Sequence, residues 1–342
     1  MIERKPLARL LRPQSVVIVG ASAEPMSVGH NVAGNLEKFG YAGEVHLVSR
    51  KGGEIGGRAC VTSIDELPYG IDAAVLVVPA GVVQESLAAC ARRGIGGAIV
   101  FASGFSEQDE EGRLAQEAFA RTAVQNNLAV IGPNCIGLVN YAACTPLTFE
   151  PVDAAPPCSI GVCVIAQSGA MAGNVRYALQ GRGIAVSHSI STGNEAVVAA
   201  EDCLELLIDD PAVSCFALFV EQIRRPQNFL ALAARARLAG KPIVLLHSGR
   251  SVRAREAAKT HTGSLAGDYA IMRAFVEREG VLLVEGLDEL FDACALLAAN
   301  PAHFAAASPS YRILAPCAGS TSICARTSAL QCHPFHLPPA QS

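Results

Sequence analysis

SVVIVGASAEPMSVGHNVAGNL, residues 15–36, decides the fold. Its opening run, SVVIVG (15–20), is apolar, rich in Val and Ile, and stops at a glycine, which reads as a short buried strand. A helical pattern follows over about 27–39. A glycine-containing turn from strand into helix leaves backbone N–H groups unpaired and aimed at one point, so this turn is a candidate phosphate cradle. It is not the strict G-x-G-x-x-G: Ala21 and Ser22 follow Gly20, and Gly29 comes late. The loop is longer than the dinucleotide fingerprint allows.

The same alternation runs outward from this unit. EVHLVS (44–49), AAVLVVP (73–79), GAIVFA (97–102) and LAVIG (128–132) read as further strands, with helices at about 81–94 and 107–127. Strands that alternate with helices imply right-handed crossovers and a parallel sheet covered on both faces. Residues 141–158 (YAACTPLTFEPVDAAPPC) hold four prolines and no clear period, which predicts a linker. A second alternation follows it: IGVCVIA (160–166), AVSHSIS (185–191), CFALFVE (215–221), PIVLLHS (242–248) and VLLVE (281–285). Its helices are expected near 169–182, 195–209, 226–239, 266–279 and 287–298. The expected plan is therefore a Rossmann-like α/β domain over 8–140, a linker over 141–158 and a second α/β domain over 159–298.

The remainder, 299–342, has no acidic residue, two Arg, and much Ser, Pro, Ala and Cys. It reads as an irregular, flexible tail in which only YRILAP starts a strand pattern. Cys332, His333 and His336 lack a fourth ligand, so no metal site is expected.

Composition excludes several classes. At about 150 residues per domain, 342 residues suit two domains. A net charge of −4, no Trp and 5% aromatics argue against a nucleic-acid surface. Mean hydropathy is +0.32, yet no stretch approaches the roughly 18 unbroken apolar residues of a membrane helix. The opening MIERKPLARLLRPQ has no apolar leader, and the twelve cysteines are scattered without a C-x-x-C. Both point to a reducing, cytoplasmic home.

Three loops carry the chemistry. After the second strand stand Ser49, Arg50, Lys51, Gly52 and Gly53, where a plain NAD site wants an acidic residue for the ribose hydroxyls. Two cations suit a phosphorylated ribose, as in coenzyme A or NADP, if they are not simply a solvated loop. AQSGAMAG (166–173) ends a strand and opens a helix, so N–H groups around Ser168 and Gly169 suit an anion. His261, in KTHTGSLAGD, sits between a strand and a helix beside Thr260, Thr262, Gly263 and Ser264, with Arg250, Arg253, Arg255 and Lys259 nearby. Glu221 ends the strand CFALFVE, where a carboxylate suits holding an imidazole N–H and fixing its tautomer.

The colinear series GAS…SVG, SRKGG, VVPA, ASGF, GPNCIG, QSGA, STGNE, LFVEQI and KTHTGSLAGD resembles the NDP-forming acyl-CoA synthetases, relatives of the succinyl-CoA synthetase α subunit. The resemblance spans about residues 8–298. It implies a CoA-binding first domain and a flavodoxin-like second domain. It also implies that His261 takes a phosphoryl group from ATP, that Glu221 orients it, and that Ser168 and Gly169 cradle the phosphate. Ser22, Ser27, Val28, Lys51, Pro79, Ala80, Phe101, Ala102, Ser103 and Asn134 match the family's CoA positions. Cys135 lies near the family's CoA thiol end and is not expected to be the nucleophile, since the attacking thiol belongs to CoA.

The ATP-grasp module of the family, with its glycine-rich lid and magnesium ligands, has no counterpart in this sequence. ATP and Mg²⁺ are therefore expected on a partner subunit or a further domain, and the chain reads as a truncated or frameshifted product. The expected activity joins a short-chain, branched or aromatic acid, hydroxycinnamic acids included, to CoA, within an oligomer. Two other readings stay open: a non-catalytic CoA-binding module and an NADP-dependent oxidoreductase.

Overall fold

The structure is a computed structural model that describes residues 3–154, 160–250 and 269–299, and the short segments 312–313 and 325–326. The first sheet is built on β1 (Ser15–Val19), β2 (Glu44–Val48), β5 (Ala73–Leu76), β6 (Gly97–Val100) and β7 (Ala129–Ile131). All of these pair in parallel, and β5, β6 and β7 are buried throughout. Val, Ile, Leu and Ala fill them because helices cover both faces. An edge hairpin, β3 (Glu54–Ile55) and β4 (Arg58–Val61), completes the order β3-β4-β2-β1-β5-β6-β7. Sequence reading missed that hairpin because its residues are mostly exposed and lack alternation.

Three helices pack on this sheet: α2 (Val28–Lys38), α3 (Ala80–Arg92) and α4 (Glu110–Gln125). Ser27 caps α2, its Oγ accepting from His30 N, and Asp109 caps α4 through Gly112 N. A helix not foreseen, α1 (Arg4–Leu11), buries Leu7, Leu10 and Leu11 at the i, i+3, i+4 spacing, and Arg9 Nε meets Asp72 at 2.7 Å. Eight residues were too short a window to stand out by period.

The second sheet has the order β14-β13-β12-β10-β11-β8-β9. Its parallel part is β10 (Gly161–Ala166), β11 (Val186–Ser191), β12 (Val213–Val220), β13 (Ile243–His247) and β14 (Leu282–Val284). The helices α5 (Gly169–Gly181), α6 (Ala200–Leu207), α7 (Pro226–Leu238), α8 (Tyr269–Arg278) and α9 (Leu287–Ala299) follow its strands in turn.

Two expectations are corrected. Part of the predicted linker is β9 (Thr145–Thr148), which pairs antiparallel with β8 (Gly137–Asn140) and, through β8, joins the second sheet. The hairpin is buried throughout. Pro146 disguised it, yet β9 is an edge strand, where a missing N–H breaks no ladder on the open side. The helix expected from 195 starts only at Ala200. Residues before it run beside the end of β7: Asn194 N donates to Pro133 O at 3.0 Å, Ala196 N to Gly132 O at 3.1 Å and Val198 N to Val130 O at 3.1 Å. No described helix is long and apolar enough to cross a membrane.

Candidate functional site

In each parallel sheet the loops that carry the motifs leave the carboxyl ends of the strands, where open α/β sheets bind ligands. β1 lies between β2 and β5, and β10 between β11 and β12, so each sheet has its switch point beside a motif loop. The two edges meet at Gly193. Its φ is +58°, and a Cβ there would stand 2.2 Å from Pro133 O, so only glycine lets the loops approach so closely.

The meeting edges enclose a cleft of about 390 Å³. From the first sheet come Phe101, Ser103, Ser106 and Asn134; from the second come Gln167, Ser168, Gly169, Asn194, Glu221, Gln222 and Arg224. Six residues singled out in the sequence therefore share one cavity: Phe101, Ser103, Asn134, Ser168, Gly169 and Glu221. Ser22, Ser27, Val28, Lys51, Pro79, Ala80 and Ala102 are not in its lining. They occupy other loops of the first sheet's carboxyl edge: Ser22 Oγ accepts from Glu24 N at 3.1 Å, Lys51 is exposed just past β2, and Pro79 precedes α3. Ala102 O accepts from Asn134 N at 2.8 Å, which ties the ASGF loop to GPNCIG. His261 and its neighbours Thr260, Thr262, Gly263 and Ser264 lie outside the described residues, as does the group Cys332, His333 and His336.

The first turn has the shape of a cradle. Gly20 has φ +91°, and a Cβ on it would stand 2.0 Å from Val77 O. A Cβ on Gly29 would stand 2.6 Å from Gly20 O, so α2 starts against the backbone of the turn. In the second domain Ser168 caps α5, its Oγ accepting from Met171 N at 3.4 Å, and Gly169 lets Ile136 approach, with Cγ2 2.8 Å from where a Cβ would be.

Glu221 enters the cleft with its backbone fixed: its N–H donates to Gln167 Oε1 at 2.6 Å. Its buried Oε2 has no hydrogen-bond partner among the described residues. An unpartnered carboxylate oxygen at a cleft wall is costly unless another group completes it. Cys135 is different: burial pushes its thiol up to about 12, and Sγ stands 3.4 Å from Val100 O. A thiol so held stays protonated near neutrality.

Several lining residues received no role from sequence, though Asn194 lies in the STGNE motif. Asn194 is a bridge across the domain boundary: its Nδ2 reaches Gln116 Oε1 at 3.0 Å and the Glu107 carboxylate, and its Oδ1 accepts from Asn134 Nδ2 at 3.3 Å. Glu107 also accepts from Gly104 N at 2.7 Å. Burial pushes Glu107 up, but the hydrogen bonds from Asn194 and the loop N–H groups outweigh it and hold the carboxyl below its usual range. Phe101 and Phe149 meet edge-to-face, centroids 4.9 Å apart, on an apolar side of the cleft with Ile136. Phe149 and Arg224 are single residues in unpatterned loops, visible only in three dimensions.

The molecule is thus a two-domain α/β protein whose Rossmann-like first domain and flavodoxin-like second domain share a cleft. Residues 14–141 match the CoA binding domain family, and residues 160–297 match the succinyl-CoA ligase like flavodoxin domain. A trans-feruloyl-CoA synthase from an unknown prokaryotic organism is 43% identical over 286 residues, 83% of this chain and 40% of the relative. The α subunit of the ADP-forming acetate–CoA ligase I of Pyrococcus furiosus is 35% identical over 294 residues, covering 84% of this chain and 62% of the relative. The dinucleotide-forming acetyl-coenzyme A synthetase 1 of Ca. Korarchaeum cryptofilum, solved with phosphate and ADP, superposes with a TM-score of 0.80 at 31% identity. That match covers 85% of this chain and 62% of the solved one. The chain belongs to the NDP-forming acyl-CoA synthetase family, as its CoA-binding and flavodoxin-like part. It spans between 40% and 62% of the length of these relatives.

Proposed function

We propose that this chain is the CoA-binding and phosphohistidine part of an ADP-forming acid–thiol ligase. One observation carries the reading: a single cleft joins Phe101, Ser103 and Asn134 to the α5 N-terminus at Ser168 and to the open carboxylate of Glu221.

The residues of the first domain fit CoA. The Gly20 and Gly29 approach makes a backbone cradle for a pyrophosphate at the start of α2. Lys51 supplies an exposed cation for the ribose 3′-phosphate, with Ser22, Ser27, Val28, Pro79 and Ala80 along the same edge. Phe101, Ala102, Ser103 and Asn134 lead toward the thiol end.

His261 is the phosphoryl carrier. Its neutral imidazole attacks the terminal phosphorus of ATP held with Mg²⁺ on an ATP-grasp domain or subunit; a P–N bond forms as ADP leaves. Glu221 holds the other ring N–H through Oε2 and so fixes the nucleophilic nitrogen. The unpaired N–H groups at Ser168 and Gly169 stabilise the phosphoryl charge. A carboxylate oxygen then takes the phosphoryl group, the P–N bond breaks, and the CoA thiol displaces phosphate from the acyl phosphate. The relative named as a ligase subunit α supports placing the ATP module on a second subunit or domain.

The acid class we favour is aromatic. Phe101, Phe149 and Ile136 offer an apolar side with a ring edge for a second ring to pack on, and the feruloyl-CoA synthase relative acts on such an acid. The test is turnover: with ATP, Mg²⁺, CoA, ferulate and the ATP-grasp subunit of a related ligase, the chain forms feruloyl-CoA and ADP. Absence of thioester with ferulate, acetate and branched acids alike, together with binding of NADPH in preference to CoA, would overturn the reading.

A further inference from the structure

Glu195, in the STGNE motif, is buried beside the cleft but does not line it. Its side chain is fully enclosed, and its backbone adopts the left-handed region, φ +55°, which a glutamate seldom does without compensation. The compensation is a carboxylate with four donors. Thr192 Oγ1 at 2.9 Å and Ala200 N at 2.8 Å hold Oε1. Gln167 Nε2 at 2.9 Å and Arg224 Nε at 3.2 Å hold Oε2.

Gln167 carries the consequence. Its Nε2 donates to Glu195 and to Gln222 O, which leaves Oε1 facing the other way. That Oε1 accepts from Glu221 N at 2.6 Å and from Gln222 N at 3.0 Å. Only an oxygen accepts two N–H groups, so the amide has one workable orientation, and the carboxylate of Glu195 holds it there together with Gln222 O. Arg224 closes the ring: its Nη2 donates to Asn194 O at 2.9 Å while its Nε sits on Glu195.

We infer that Glu195 is a positioning residue that sets the Glu221 carboxylate in the cleft by orienting the Gln167 amide and anchoring Arg224. The inference rests on the proposed role of Glu221. The groups facing Glu195 are Gln167 after β10, Arg224 and Arg225 after β12, and Glu201 on α6, with Asp202 pairing Arg225 at 2.7 Å. In Glu195→Gln one of the two acceptor oxygens becomes an NH₂, so the four donors around Glu195 can no longer all be accepted. The Gln167 amide then keeps only Gln222 O as a full acceptor and holds Oε1 less firmly against Glu221 N.

The test reads the two backbone amides directly. In the full chain, hydrogen exchange at Glu221 and Gln222 should speed up about tenfold in E195Q, with CoA affinity unchanged within about twofold. Gln167→Ala should show the same loss, and adding E195Q to it should change those amides no further, since one residue acts through the other. With an ATP-grasp partner, E195Q should lower the maximal rate of phosphate acceptance without raising the KM for ATP. If E195Q proves unfolded, the shape-matched Thr192→Val, which removes one donor to Glu195, should give the same change in smaller measure. Unchanged exchange at Glu221 and Gln222 in E195Q, or additive effects with Gln167→Ala, would overturn the inference. Exchange needs no turnover, so a wild-type chain that never accepts phosphate counts against the proposed function and not against this arrangement.

Discussion

Replacing Glu195 by Gln should change how stability depends on pH, in a direction that the burial of Glu195 fixes. Burial first, and then the neighbouring Glu201, push Glu195 up from 4.5 to about 7, against Arg224, Ala200 N and Thr192, which pull it down. The folded state therefore holds a proton on Glu195 over a range where the unfolded chain has lost it. Stability from this group is fully present below its unfolded value of 4.5 and is lost as pH rises through about 7. With those two values, the loss between pH 5 and pH 8 is about 2 to 3 kcal/mol. E195Q has no such loss. Two buried histidines work in the opposite sense. Burial lowers His188 and His247 to about 4, so their contribution is present above about 6.5 and lost as pH falls through about 4. Both proteins share these histidines, so the difference between them isolates Glu195. Urea unfolding of wild type and E195Q at pH 5, 6, 7 and 8 gives that difference. It should move in favour of E195Q by about 2 to 3 kcal/mol across the range, on top of any constant offset from the disturbed Gln167 amide. A difference that does not change with pH would refute the reasoning.

Other outcomes follow from the same geometry. Gly193→Ala, with φ +58° and Pro133 O 2.2 Å from the new Cβ, should cost at least about 2 kcal/mol and loosen the domain contact, seen as a lower urea midpoint. Lys51→Ala should weaken CoA about fivefold in calorimetric titration and leave dephospho-CoA unchanged, because the exposed lysine is assigned to the 3′-phosphate. Phe149→Ala should raise the KM for an aromatic acid about tenfold relative to acetate, since it removes the edge-to-face partner of Phe101. An equal rise for both acids would count against an aromatic subsite.

Much of this architecture was legible in the sequence. The Val- and Ile-rich runs that end in Gly, Pro or Ser are strands because parallel sheets bury both faces, and the motif loops among the described residues lie at carboxyl ends. The exceptions have local causes. Pro146 hid β9, an edge strand that tolerates it, and the short helix α1 offers too few turns to show a period. At the site, Ser168, Gly169 and Glu221 could be singled out because each ends a strand or opens a helix. Gln167, Asn194 and Glu195 lie within the motifs QSGA and STGNE but received no role from sequence, and Arg224 lies outside them, since their roles depend on contacts across 28 to 88 positions of sequence. No local pattern encodes a glutamine amide that reads a carboxylate on one side and two backbone N–H groups on the other.

The central claim is that this chain carries phosphate on His261 and that Glu221 and Ser168, which share a cleft with the CoA-binding domain, serve that step. Labelled ATP, Mg²⁺ and the ATP-grasp subunit of a related ligase test it most directly, with peptide mapping of the product. The account predicts acid-labile, base-stable label on the peptide containing His261, discharged by ferulate and CoA, and absent in His261→Ala. Label that persists in His261→Ala, or a wild-type chain that takes none, would contradict it.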